Sequence, residues 1–146
     1  DLRFAEMVDV ARDAGSPLVV VVLDLDHFKR VNDTFGHAVG DRVLVQVAKL
    51  LQDNTRPADV VTRTGGEEFV IVMPGIGAPD AFDVCERLRL RISGFQWGAV
   101  APELSVTLSG GIACAPEFDT KRLVERADLA MYRAKRAGRN RVAVAP

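Results

Sequence analysis

Two carboxylates, Asp24 and Asp26, close an aliphatic run from Leu18 to Leu23, and a helix start follows them at once. Magnesium favours near-octahedral oxygen ligation with one or two protein carboxylates, leaving its other positions to water and substrate phosphate. A second acidic pair, Glu67 and Glu68, follows Gly65-Gly66. That segment reads as a tight hairpin turn, because glycines tolerate positive φ. Acids at a strand end, beside acids on a neighbouring hairpin, suit metal and phosphate chemistry. An isolated Asp-x-Asp pair serves equally well to cap the helix behind it. Donors for an anion are also present. The N–H groups of His27 and Phe28 open the helix, where free amides and the helix dipole favour negative charge, and Lys29 lies in that first turn. Five cations fall between Arg133 and Arg141 with no acid among them, a run that also complements a helix C-terminus.

The elements that must position these groups follow from the apolar pattern. Residues 1–14 place Leu2, Ala5, Met7, Val8 and Val10-Ala11 near helical spacing, and Gly15-Ser16-Pro17 ends that helix. Residues 18–25 form a β-branched and aliphatic run ending in carboxylates, as expected of a strand buried on both faces. A short helix from His27 to about Phe35 is broken by Gly36, and a second is expected over 39–53. Strands over 59–64 and 68–73 flank the glycine turn. Helices are expected over 78–92 and 121–137, the latter ended by Gly138 at the usual position past a helix C-terminus. Residues 104–113 alternate as a strand does, and 141–145 supply a last short one. After the opening helix the order is βααββαβαβ. It implies an α/β (α+β) sandwich with a mainly antiparallel five-stranded sheet flanked by helices.

The chain has 146 residues, enough for one domain with its own core. With 48% hydrophobic and 27% charged residues it belongs with globular and not disordered chains. Lys+Arg total 19 against Asp+Glu 20, for a net charge of −1. That balance excludes a protein relying on bulk attraction to nucleic acid or to an acidic membrane surface. It leaves room for a small anion held by a few local cations. The two cysteines, Cys85 and Cys114, have no metal-ligand spacing and read as buried thiols of a reducing compartment. The longest aliphatic run is far below the ~20 residues a membrane span needs, and no signal peptide is evident. The expected location is cytoplasmic, with membrane tethering of a full-length protein left open.

The motifs taken together are more specific than any one of them. Asp24-Leu25-Asp26-His27-Phe28-Lys29, Asn32-Asp33, Gly36-His37 and Gly40-Asp41 come first, followed by Arg63-Thr64-Gly65-Gly66-Glu67-Glu68-Phe69. Asp128-Leu129-Ala130-Met131-Tyr132-Arg133-Ala134-Lys135 and Gly138-Arg139-Asn140 close the set. In this order, over nearly the whole chain, they resemble the GGDEF family of diguanylate cyclases, which has a palm-like nucleotide cyclase fold. The resemblance implies an enzyme that joins two GTP molecules into cyclic di-GMP with release of two pyrophosphates, working as a homodimer of facing half-sites. By family position Asp24, Glu67 and the Leu25 carbonyl would hold Mg²⁺, with Mn²⁺ as a possible substitute, and Glu68 would assist. Glu67 stands where the family name has Asp, a familiar alternative that keeps the charge. Asp26 is left between a structural and a metal role.

The resemblance also assigns the substrate contacts. The His27 and Phe28 amides with Lys29, Lys135 and Arg139 would meet the phosphates, and Asn32 and Asp41 would read guanine. A related branch making mixed adenine–guanine dinucleotides has a small hydroxyl residue at the Asp41 position, so Asp41 points to GTP alone. Asn32 by itself would more ordinarily cap a turn. Arg56-Pro57-Ala58-Asp59 lies at the family's usual interval before Gly65 and resembles its RxxD inhibitory site for product. The alternative is an Arg–Asp pair fastening a loop. Arg87 is a further candidate cation for that site.

The chain lacks the family's usual opening turn, so it is expected to be one domain, residues 1–146, cut from a longer regulated protein with an upstream sensory or regulatory partner. The rival readings are a GTP or cyclic di-GMP binding module without turnover, and a cyclase making a cyclic mononucleotide. Nucleic-acid partners are not expected.

Overall fold

A computed structural model describes every residue except Asp1, Ala115 and Glu117. The elements are α1 (Leu2–Ala14), β1 (Leu18–Leu25), α2 (Phe28–Phe35), α3 (His37–Asp53), β2 (Val60–Arg63) and β3 (Glu68–Pro74). They continue with α4 (Ala78–Gly94), a 3₁₀ turn (Trp97–Ala99), β4 (Leu108–Cys114), α5 (Thr120–Arg136) and β5 (Val142–Val144). Asp1, where the opening helix was expected to start, lies outside the described residues. The strands form one sheet in the order β2-β3-β1-β4-β5, antiparallel except for the parallel β4–β5 pair. The expected sandwich and element order are therefore present.

β1 is the central strand, and its aliphatic run feeds both sides of the sheet because side chains alternate with period two. Val19, Val21, Leu23 and Leu25 join Phe69, Ile71 and Ile112 against α3 and α4, through Val43, Val47, Leu51, Cys85 and Leu88. Leu18, Val20 and Val22 join Val70 and Val72 against α1 and α5, through Phe4, Val8, Leu123, Ala127 and Met131. Asp24 continues this second face, so its carboxylate projects toward α5. In register it stands between Glu68 of β3 and Ser109 of β4.

Three local expectations need correction. The strand expected from residue 104 begins at Leu108. β1 ends opposite it at Leu25, and after one more main-chain bond, Asp26 N–H to Thr107 O at 2.9 Å, the chain turns into α2, so residues 104–106 have no ladder to join. Leu104 and Val106 are buried all the same, which is why the sequence alternates there. The hairpin glycines Gly65 and Gly66 are absent from the positive-φ positions, which are Gly15, Gly36, Gly75 and Gly138 among glycines. A side chain at Gly66 would meet nothing within 4 Å, so these glycines leave open space and not a left-handed turn. Of the cysteines only Cys85 is fully buried, with its thiol pushed up to about 12 by burial; Cys114 is half-buried.

Candidate active site

The sheet edge nearest α2 and α5 collects the chemistry. Glu67 ends the hairpin turn, and its carbonyl accepts a hydrogen bond from Leu25 N–H at 3.2 Å, which seats the turn against the end of β1. Thr64 N–H to Glu68 O at 2.9 Å closes the hairpin, and the Arg63 guanidinium donates to Gly66 O at 3.2 Å. Asp24, Leu25, Glu67 and Glu68 are thereby brought together.

Asp24 is the least satisfied group of the set. Its Oδ1 is buried without a hydrogen-bond partner, while Lys135 Nζ lies 3.4 Å away on the last turn of α5. Burial raises the Asp24 carboxyl above its ordinary value; Lys135 opposes that shift, and Glu67 and Asp26 add to it. Glu68 is likewise raised, first by burial and then by Asp128, Asp24 and Glu67, with a hydrogen bond from Thr64 opposing. Carboxylates crowded this closely gain from any cation that comes between them. A buried carboxylate oxygen that has an ion-pair neighbour but no hydrogen bond, open space over the hairpin glycines and the Leu25 carbonyl at the same strand end make a hard-oxygen set that suits Mg²⁺. Among the described residues no group of three or more acidic, histidine or cysteine side chains converges on a metal position. The fit therefore rests on two carboxylates and one carbonyl.

Asp26 takes the structural role left open above. It is buried and accepts from the Thr107 and Ser109 hydroxyls, both at 2.7 Å, and from Asn140 N–H at 2.9 Å. Lys135 Nζ lies 3.6 Å from it, so one ammonium sits between the two strand-end carboxylates.

The start of α2 carries three of the expected phosphate contacts, the His27 and Phe28 amides and Lys29. His27 is left-handed, with φ 55°, and precedes the first helical residue, Phe28. Its imidazole pKa is lowered, first by partial shielding from water and then by Arg30 and Arg139, with Lys135 adding to the effect. Lys29 is exposed in the first turn.

The packing of α2 on α3 brings Gly40, the residue before Asp41, against Asn32. Gly40 is buried at that crossing, and a Cβ there would collide with Asn32 Oδ1 and come within 3.3 Å of Phe28 Cζ. Asp41, the next residue, lines a cavity of about 380 Å³ with Leu44, Val45, Ala48 and Arg63.

Arg56 and Asp59 lie elsewhere. The Arg56 guanidinium is 2.6 Å from Asp59 Oδ1 and donates to Pro74 O at 2.7 Å, while its own N–H donates to Asp59 Oδ2 at 2.8 Å. Pro74 ends β3 and Glu68 begins it, so this pair sits roughly 20 Å along the hairpin from the acidic centre. The loop-fastening contact exists. Asp59 is buried, Arg56 is half-exposed, and both line a cavity of about 410 Å³. Arg87 reaches the adjacent loop, donating to Asn54 O at 3.4 Å.

Asp128, Gly40 and Asn140 stand in the motifs without an assigned role, Thr107 and Ser109 read only as polar positions of a strand, and no motif marks Arg89 or Gly111. The adjacent Gly110-Gly111 inside a strand was a usable signal, since glycine there marks close approach of another backbone.

A family model described as diguanylate cyclase, GGDEF domain, matches residues 1–141. The diguanylate cyclase DgcP of Pseudomonas aeruginosa is 46% identical over 135 residues, 92% of this chain and 20% of that protein. The response regulator PleD of Caulobacter vibrioides is 44% identical over 140 residues, 93% of this chain and 31% of PleD. The chain thus spans a third or less of the length of these two relatives. Among solved structures, the GGDEF domain of DgcB from Caulobacter crescentus in complex with c-di-GMP superposes with a TM-score of 0.91 at 33% identity, covering 98% of this chain and 86% of that one. The active GGEEF domain of a diguanylate cyclase from Vibrio cholerae gives 0.90 at 33% identity, covering 99% and 93%. Matching motifs, matching topology and this degree of identity agree: the chain belongs to the GGDEF family of diguanylate cyclase domains.

Proposed function

We propose that this domain condenses two GTP molecules into cyclic di-GMP and two pyrophosphates, each 3′-hydroxyl attacking the α-phosphorus of the other GTP. The observation that carries the reading is the buried Asp24 oxygen, which has the Lys135 ammonium 3.4 Å away but accepts no hydrogen bond, beside the hairpin that holds Glu67. Asp24, Glu67 and the Leu25 carbonyl would hold Mg²⁺, or Mn²⁺ in its place. Such an ion supplies Lewis-acid stabilisation of the charge that develops on the phosphate oxygens. The protein's own contribution is position and charge. Lys29, Lys135, Arg139 and the His27 and Phe28 amides hold the triphosphate, Asn32 and Asp41 hold guanine, and Glu68, with its raised proton affinity, accepts the attacking hydroxyl's proton. A pocket whose donors and acceptors are left unpaired by adenine selects GTP.

One domain supplies one half-site, so turnover needs two copies facing each other. A GTP substrate also favours a cytoplasmic location. Among the described residues no helix is long and apolar enough to cross a membrane. Purified protein incubated with GTP and Mg²⁺ at several protein concentrations tests the reading. Cyclic di-GMP forming with second-order dependence on protein is expected, and tight GTP binding without product, or cyclic GMP alone, refutes it. Glu67→Gln should abolish turnover in a folded domain, and undiminished activity would remove Glu67 from the metal set.

Arg56 and Asp59 form the inhibitory site in this reading, with Arg87 alongside. The half-exposed guanidinium faces a cavity and presents donors to the guanine O6/N7 edge or to phosphate. Arg56→Ala should relieve inhibition by added cyclic di-GMP; an inhibition curve identical to the wild type leaves only the loop-fastening role.

A further inference from the structure

The turn after α5 is built in a costly conformation. Arg139 and Asn140 have φ 65° and φ 46°, two successive left-handed residues, neither of them glycine. Such backbone persists only where its surroundings over-determine it. Main-chain bonds fix the start of the turn, Gly138 N–H to Lys135 O at 3.3 Å and Arg139 N–H to Ala134 O at 3.1 Å. Residue 140 is held by side chains from two other elements. Its N–H donates to Asp26 Oδ2 at 2.9 Å, and its Oδ1 accepts from Arg89 of α4 at 3.1 Å. Each holder is itself held, Asp26 by the Thr107 and Ser109 hydroxyls and Arg89 by Glu86 Oε2 at 2.7 Å.

We propose that Asp26 and Arg89 are positioning residues that clamp the Arg139–Asn140 turn from two separate elements and so set the affinity of the site for the triphosphate. The inference rests on the reading that Lys135 and Arg139 meet the phosphates. Asp26 acts on both cations at once, because the carboxylate that accepts from Asn140 also lies 3.6 Å from Lys135 Nζ. Arg89 acts on Arg139 alone, through the neighbouring residue. Neither touches guanine-reading Asn32 or Asp41, so loosening the clamp weakens recognition of the phosphates and spares that of the base.

Titration calorimetry on the intact chain with 3′-deoxy-GTP, which carries the triphosphate but lacks the attacking hydroxyl, tests this against GMP. Arg89→Ala and Asp26→Asn should each raise the Kd for 3′-deoxy-GTP about tenfold, while the Kd for GMP stays within about twofold. Arg89→Lys, which keeps a donor, should recover most of the loss. Arg89 is only partly buried, unlike Asp26, so its variants keep the question open to refutation if Asp26→Asn does not fold. Equal weakening of both ligands, a purely structural effect, overturns the clamp. So does unchanged 3′-deoxy-GTP affinity in Arg89→Ala where Lys135→Ala and Arg139→Ala each weaken it. If those two cation variants also bind normally, the phosphate reading itself falls and the clamp with it.

Discussion

Gly111→Ala should be among the most damaging conservative substitutions in the chain, and its cost can be worked from the packing. Gly111 lies on β4 and faces α5. A Cβ there would fall inside the van der Waals envelope of Ala127 O and Met131 N and lie 3.0 Å from the Ala130 carbonyl carbon. All three are main-chain atoms of one helix, which no rotamer change can move. Restoring ordinary contact needs α5 to retreat by roughly 1 Å, away from side chains packed at crystal-like density. Overpacking of this kind costs ~1–3 kcal/mol, and main-chain atoms as the obstacle put it at the upper end. About 3 kcal/mol corresponds to a fall in Tm of roughly 10 °C in a domain of this size. The adjacent glycine is the control. At Gly110 an added Cβ meets chiefly Leu23 Cδ2, at 2.7 Å, the end of a side chain that can turn aside. Gly110→Ala should cost about 1 kcal/mol or less, since alanine also removes glycine's entropic penalty in a strand. Thermal unfolding by circular dichroism compares the two. Because α5 carries Lys135, Gly111→Ala should also weaken GTP binding about tenfold below its Tm. Equal Tm losses for the two variants would refute the claim that the helix is seated on Gly111.

Two other substitutions test the site's electrostatics and shape. Asp24→Asn should abolish turnover yet raise the Tm of the ligand-free domain at about pH 7 by a few degrees, a gain of ~0.5–2 kcal/mol. Burial holds the Asp24 carboxyl above its ordinary 3.8, so its stabilising protonated form is complete below 3.8 and lost as pH rises through the raised value. The Tm difference between variant and wild type should therefore be near zero in acid and grow as pH rises. A difference of the opposite sign would mean that Lys135 more than offsets the burial. Gly40→Ala should leave the Tm nearly unchanged, because better helix propensity offsets the added crowding. It displaces Asn32 Oδ1, so GTP affinity should fall about tenfold, measured by calorimetry; unaltered affinity would remove Asn32 from the guanine site.

Much of this protein was legible one residue at a time. β1 was readable because a strand covered on both faces must be aliphatic throughout, and α5 because its apolar stripe repeats at helical period. The acidic and cationic residues could be singled out because the family motifs they stand in keep a fixed order along the chain. Local patterns misled where the cause was not local. Residues 104–106 alternate because Leu104 and Val106 enter the core, yet a ladder also needs a partner strand, and β1 has already ended. The Gly65-Gly66 turn was expected from backbone freedom, and the glycines turned out to keep space open.

Composition, period and motif order were enough to establish the family, the element order and the kinds of groups at the site. These depend on properties each residue carries with it: its charge, its branching and its spacing from neighbours along the chain. Which groups meet across the fold was settled by tertiary packing alone. Lys135 stands between Asp24 and Asp26, Gly40 makes room for Asn32, and Asn140 is gripped by Asp26 and Arg89 from elements far from it in the chain. The reason is physical. A buried charge has its energy set by what surrounds it within a few ångströms, and those surroundings exist only once α4, α5 and the sheet have packed.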